Sequence, residues 1–112
     1  LHFDPEPLRR LFAHKELHVA EEAVCRSLED IALRLDALQR GLAVSAFVEM
    51  QQPAKRIAMM ARELGLIEVA NAADHVGTCL AQADGVAIES VIARLERGFD
   101  LAVSEIWSLR DL

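Results

Sequence analysis

Leu17, Val24, Ile31 and Leu38 recur every seven residues, and Leu28, Leu35 and Leu42 form a companion row beside them. A double apolar row at this spacing is the seam of a helix that must lie against other helices to leave water. It predicts a long helix over 17–40, with Gly41 and Leu42 as its C-terminal cap pair. A chain that begins this way needs further helices with matching stripes, and the sequence supplies them.

Upstream, Asp4-Pro5 opens a short helix. Asp4 caps it, Pro5 takes the first-turn position that proline tolerates, and Leu8, Leu11 and Phe12 form its apolar side. The period slips across His14-Lys15-Glu16, which predicts a bend. Downstream, Ser45 is placed to cap a second long helix whose buried row runs through Phe47, Ala54 and Ala61 to Leu64. Pro53 falls inside it and predicts either a kink or a break, with the carbonyl of Glu49 freed. Gly65 ends that helix in the left-handed conformation, and Leu66 folds back onto the last turn.

A third helix spans 67–83, with Val69, Ala72, Ala73, Val76, Cys79, Leu80 and Ala83 inward. Asp84-Gly85 makes a turn in which Asp84 caps the last helix, 86–110. That helix carries Ile88, Val91, Ile92, Leu95, Phe99, Ala102, Val103, Ile106 and Leu109 on one side. Four amphipathic helices with short joins bury their stripes most simply as an antiparallel up-down-up-down four-helix bundle, here with a short extra N-terminal helix. At 112 residues, with no linker, repeat or low-complexity stretch, residues 1–112 read as one all-α domain.

Composition agrees. Hydrophobic residues make up 53%, and only 5 glycines and 3 prolines punctuate the chain, which favours helices over a turn-rich β fold. A net charge of −6 argues against nucleic acid and against an anionic membrane surface as partners. No apolar run approaches the roughly 20 residues that a bilayer span needs. The N-terminal stretch lacks a basic-then-apolar signal pattern, so the expected location is cytoplasmic. Cys25 and Cys79 lie far apart without a CxxC pair; reduced thiols fit best, and a disulfide between them stays open.

Signals for catalysis are absent from the pattern. There is no Gly-rich phosphate loop, no GxSxG turn and no Cys or Ser in a nucleophile setting, so the chain reads as a non-enzyme without a cofactor. Glu29, Asp30, Arg34 and Asp36 are the solvated face of the first long helix. His14, His18 and Glu22 share a helical face, the one arrangement resembling a divalent-metal set. It lacks a fourth ligand, and an exposed, acid-flanked histidine pair explains it better. His75, off the inward stripe of the third helix, is a solvent-facing histidine or an alternative phosphoacceptor.

The second long helix carries the most specific signal. Between its buried positions lie Lys55, Met59 and Arg62, a basic strip in an acidic protein, with Gln51, Gln52 and Arg56 alongside. Such a strip is either an ordinary solvated face or a docking surface for an acidic partner, with Met59 as an adaptable apolar contact.

This helix resembles the signature helix of histidine phosphotransfer (HPt) domains, the helical phosphoryl carriers of bacterial phosphorelays. The family pattern is Ala-His-x-Leu-Lys-Gly-x-Ser-x-x-Leu-Gly-Ala; here Ala54, Ile57 and Leu64-Gly65 match without a gap. Val69, Ala73 and Val76 fall where the family places Leu, Cys and Leu. The chemical positions depart: Lys55 stands for the acceptor histidine, Ala58 for the lysine, Met59 for the glycine and Ala61 for the serine. A protonated lysine has no free lone pair with which to attack an acyl phosphate.

The resemblance therefore implies a degenerate module of two-component signalling. It keeps the bundle, lacks the acceptor, and docks a response-regulator receiver domain through Gln51, Gln52, Lys55, Arg56, Met59 and Arg62. The alternatives are a true phosphocarrier using His75 and a self-associating module whose first and last long helices pair in a homodimer.

Overall fold

The computed structural model describes residues 3–14 and 16–110, with the side chains of residues 14, 109 and 110 outside the description. Among these residues there are five helices and no strand: α1 (Glu6–His14), α2 (Leu17–Ala43), α3 (Phe47–Glu63), α4 (Ile67–Ala81) and α5 (Gly85–Arg110). The all-α expectation is met, short N-terminal helix included. The chain leaves helix between α1 and α2, where the apolar period slips; Lys15 and the inward position expected for the Leu109 side chain lie outside the described residues.

Each long element exists because one face is apolar and the next element covers it. α2 packs on α3, α3 on α4, α4 on α5, and α5 returns to α2, while α1 lies against α2. Leu8, Ile31, Leu38, Ile57, Val76, Ile92 and Ile106, drawn from all five helices, belong to one contiguous core. The long dimension of 44 Å is set by α2 and α5, since 26 or 27 residues of helix extend about 40 Å. No buried side-chain polar atom lacks a hydrogen-bond partner among the described residues.

Val24, Leu28, Ile31, Leu35 and Leu38 are buried as the double row requires. Leu17, the expected head of that row, is instead 62% exposed. It is the first residue of α2, nearly a turn ahead of Ala20, where burial on this helix begins.

The turns correct the sequence reading in a consistent way. Gly41 does not cap α2: the helix continues to Ala43, and Ser45 takes the left-handed position at φ 55°. Ala46 N–H donates to the Gly41 carbonyl at 2.9 Å and Ser45 N–H to the Leu42 carbonyl at 3.2 Å, the paired closure of a helix C-terminus. Ser45 is thus the end of α2 and not the cap of α3, which begins after Ala46 with no side-chain cap. Gly41 is small for a different reason. A Cβ there would fall inside contact distance of Met50 Cγ, so the glycine lets α3 approach α2.

Gly65 behaves as its sequence position predicts, at φ 81°. Gly65 N–H donates to the Arg62 carbonyl at 3.0 Å and Leu66 N–H to the Ala61 carbonyl at 2.8 Å, and Leu66 is buried. The N-terminal strap is anchored to the same turn, because Asp4 N–H donates to the Gly65 carbonyl at 2.8 Å. Asp4 also caps α1 by accepting from Glu6 N–H at 3.0 Å, and Asp84 caps α5 by accepting from Ala87 N–H at 3.2 Å.

α4 ends at Ala81, two residues sooner than expected. Ala83 adopts φ 52° and is exposed, so it leaves the inward set.

Pro53 sits inside an unbroken α3. Of the two readings, a break is therefore wrong. Glu49, whose carbonyl loses its helical donor to Pro53, is exposed. Cys25 is half-buried and Cys79 buried, and both thiols are free, which settles the disulfide question.

Candidate docking surface on α3 and α4

Helical phase decides which α3 residues reach solvent. Ala54, Ile57, Ala58 and Ala61 are buried, and this leaves Gln51, Gln52, Lys55, Arg56, Met59 and Arg62 exposed. All six sequence-nominated residues therefore share an accessible side of one helix. Met59 is 44% exposed, a large apolar side chain standing between charged neighbours. Ala58 is buried.

The six are not equivalent once α4 is in place. Lys55 lies over a shallow groove of about 440 Å³ between α3 and α4, with Gly77 and Thr78 on the opposite wall. Gln51 spans that groove, its side-chain amide donating to the Gly77 carbonyl at 3.2 Å. Arg62 reaches α4 as well, donating to the Asp74 carboxylate and, at 3.4 Å, to Asn71 Oδ1. The hydrogen bond that Arg62 donates to Asp74 raises the guanidinium above its ordinary pKa, with burial opposing and the charge of Asp74 adding to the rise. Arg62 is thus a tethered cation. Lys55 and Arg56 have neither hydrogen bond nor ion pair among the described residues.

The reason is readable in the spacing. Four residues before and after Lys55 stand Gln51 and Met59, and around Arg56 stand Gln52 and Met60. No carboxylate occupies a position from which it could pair along the helix. On α2, by contrast, Asp30 pairs with Arg34 and Asp36 with Arg40 at that interval, as the solvated-face reading expects.

His75 is exposed on α4, and its Nδ1 lies 2.9 Å from Arg94 Nη2 on α5. A guanidinium only donates, so Nδ1 accepts and the ring's proton sits on Nε2 in this contact. His75 and Lys55 lie on different sides of α4, which turns His75 toward α5 and Asp74 toward α3.

His18 approaches Glu16 at 3.7 Å and Glu22 approaches Arg26 at 4.0 Å, so these members of the candidate metal set pair with other neighbours. The His14 side chain lies outside the described residues, and among those described no group of three or more His, Cys, Asp or Glu is arranged to hold a metal. Among the described residues no helix is long and apolar enough to cross a membrane.

Sequence reasoning missed Asp74 and Asn71 as partners of Arg62, and Arg94 as the partner of His75. The signal was present as period: Asn71, Asp74, His75 and Thr78 form the outward strip of α4, facing cations on both flanking helices.

No protein-family model, no curated protein and no solved structure matches this chain.

Proposed function

We propose that the chain is an HPt-like module of bacterial two-component signalling that has lost its acceptor and docks receiver domains through α3. In this reading α2 to α5 form an antiparallel up-down-up-down bundle, with α1 as the extra helix. The observation that carries it is Lys55. At the position matching the family's acceptor histidine stands an exposed ammonium, unpaired among the described residues, beside the α3–α4 groove.

The chemistry follows from that placement. Protonated Lys55 and its neighbour Arg56 attract an acidic surface from a distance and raise the encounter rate. Met59 supplies the apolar contact at short range. Gln51, held by the Gly77 carbonyl, keeps the groove's rim in place. The ammonium pairs with the carboxylates or phosphoryl group of a receiver face without attacking it, because it has no lone pair to offer. Binding occurs and transfer does not. The protein would occupy a receiver and keep other phosphotransfer partners away from it.

The test is titration of the protein against a panel of receiver domains from phosphorelays. At least one binds, and Lys55→Glu weakens that complex about tenfold or more, with affinity falling steeply as salt rises. A panel in which no receiver binds, or in which wild type and Lys55→Glu bind alike, removes the proposal.

A further inference from the structure

Carboxylates exceed cations in this chain, 18 to 12, and α2 places a carboxylate four residues before Arg26, Arg34 and Arg40 alike. α5 breaks that arrangement at Arg94 and Arg97. Ser90 and Gly98 flank Arg94 at that interval, and Ala93 and Leu101 flank Arg97. Among the described residues neither guanidinium has a carboxylate within ion-pair distance. Arg94 donates to His75, and Arg97 has no hydrogen-bond or ion-pair partner among the described residues.

Both line a groove of about 420 Å³ between α4 and α5. Its wall on α4 is Glu68, Asn71 and Ala72, and Gly98 opens the wall on α5. A Cβ added at Gly98 would meet nothing nearer than Val69 Cγ2 at 4.0 Å, so the space above the glycine is free. At one end stands Leu101, 53% exposed. Arg94, Arg97 and Leu101 share one stripe of α5, so cation, cation and apolar seat succeed one another along the groove.

We propose that this groove is a second docking site, for an acidic segment of a partner protein whose carboxylates meet Arg94 and Arg97 and whose apolar side chain rests on Leu101. The charge complementarity names the occupant. Two guanidiniums about one helical turn apart suit two separate carboxylates better than one small anion. Glu68 in the opposite wall repels a continuous phosphate backbone. The site is independent of the receiver reading. The two grooves lie on either side of α4, where Asp74 lines the first and Asn71 the second, and Asn71 also accepts from Arg62 on α3. A module with two such faces holds two acidic partners side by side.

The probe is a short capped peptide of glutamate and leucine, titrated into isotope-labelled protein and followed by NMR, with inorganic phosphate as the parallel titrant. The expected result is movement of the Arg94 and Arg97 side-chain Nε–Hε signals and the Leu101 methyls. Arg94→Glu with Arg97→Glu lowers the affinity about tenfold, and Lys55→Glu changes it less than about twofold. If the double reversal fails to fold, Arg97→Ala, at an exposed side chain without a partner, carries the same test with a loss of about threefold. Shifts confined to other residues, an affinity indifferent to these substitutions, or the same pattern and affinity with phosphate alone would overturn the proposal.

Discussion

Arg62 on α3 donates to the Asp74 carboxylate on α4, so one of the three cations on the α3 strip is already engaged by its own protein. Both side chains remain about half exposed, and solvent screens the pair. Under the proposed docking, its consequence therefore lies in recognition more than in stability. Asp74 competes with any acidic partner for Arg62, and Lys55 and Arg56 are left as the free positive charge of the strip.

Removing the competitor should strengthen docking. Asp74→Asn frees Arg62 and is expected to raise affinity for a bound receiver about threefold to tenfold, with a steeper salt dependence. Calorimetric titration at two ionic strengths checks it; an unchanged or weaker complex would show that Arg62 takes no part in binding.

The same pair makes little difference to folding. Arg62→Met is expected to shift the unfolding free energy by less than about 0.5 kcal/mol in denaturant titrations. The pH dependence has a definite sign. Asp74 raises the Arg62 pKa in the folded state, so that contribution is fully present below the unfolded value and is lost only as pH rises through the folded one. Both lie far above mildly alkaline pH, so Arg62 contributes no slope between neutral and mildly alkaline pH. A stability difference between wild type and Arg62→Met that varies across that range would contradict the assignment.

Gly65 is where local backbone and long-range packing coincide. Its φ of 81° disfavours any side chain, and a Cβ would overlap the Asp4 carbonyl oxygen. Gly65→Ala should cost more than about 2 kcal/mol by combined backbone strain and displacement of the N-terminal strap. Gly85 has nothing within 4 Å of a Cβ, and Gly85→Ala should be neutral or slightly stabilising. Chemical denaturation of the two variants side by side separates them.

Ser45 and Ala83 hold left-handed conformations, φ 55° and 52°, that glycine adopts more readily. Ser45→Gly and Ala83→Gly are each expected to stabilise the protein by about 0.5–1 kcal/mol, less than the full strain because glycine also loosens the unfolded chain. Thermal melts that fall in both variants would show that these turns carry no strain.

The helices were legible because burial on α2 to α5 follows the three-and-four spacing of Val24, Leu28, Ile31 and their counterparts, a signal fixed by helix geometry. The glycines were less so. Gly65 reads correctly because a turn demands it, whereas Gly41 misleads because the same residue type also serves close helix packing, here against Met50. Ser45 shows the converse: a helix can end on a left-handed serine, and its hydroxyl side chain invites reading it as the next cap. The exposed strip of α3 could be taken from period alone. That Arg62 is tethered while Lys55 is free could not, because it depends on which residue of α4 comes opposite. The N-terminal strap on Gly65 was similarly invisible, being a backbone contact with no side-chain signature.

The most direct test of the proposed HPt-like reading introduces an acceptor at position 55. Lys55→His combined with Met59→Gly puts an imidazole and open space at the surface where the family pattern has them. The restored variant and the wild type are each incubated with a phosphorylated receiver that binds the wild type. Acid-labile phosphoryl label on residue 55 of the variant, with none on the wild type, is the predicted result. An unlabelled variant that still binds the receiver, or label on His75 of the wild type, would contradict it.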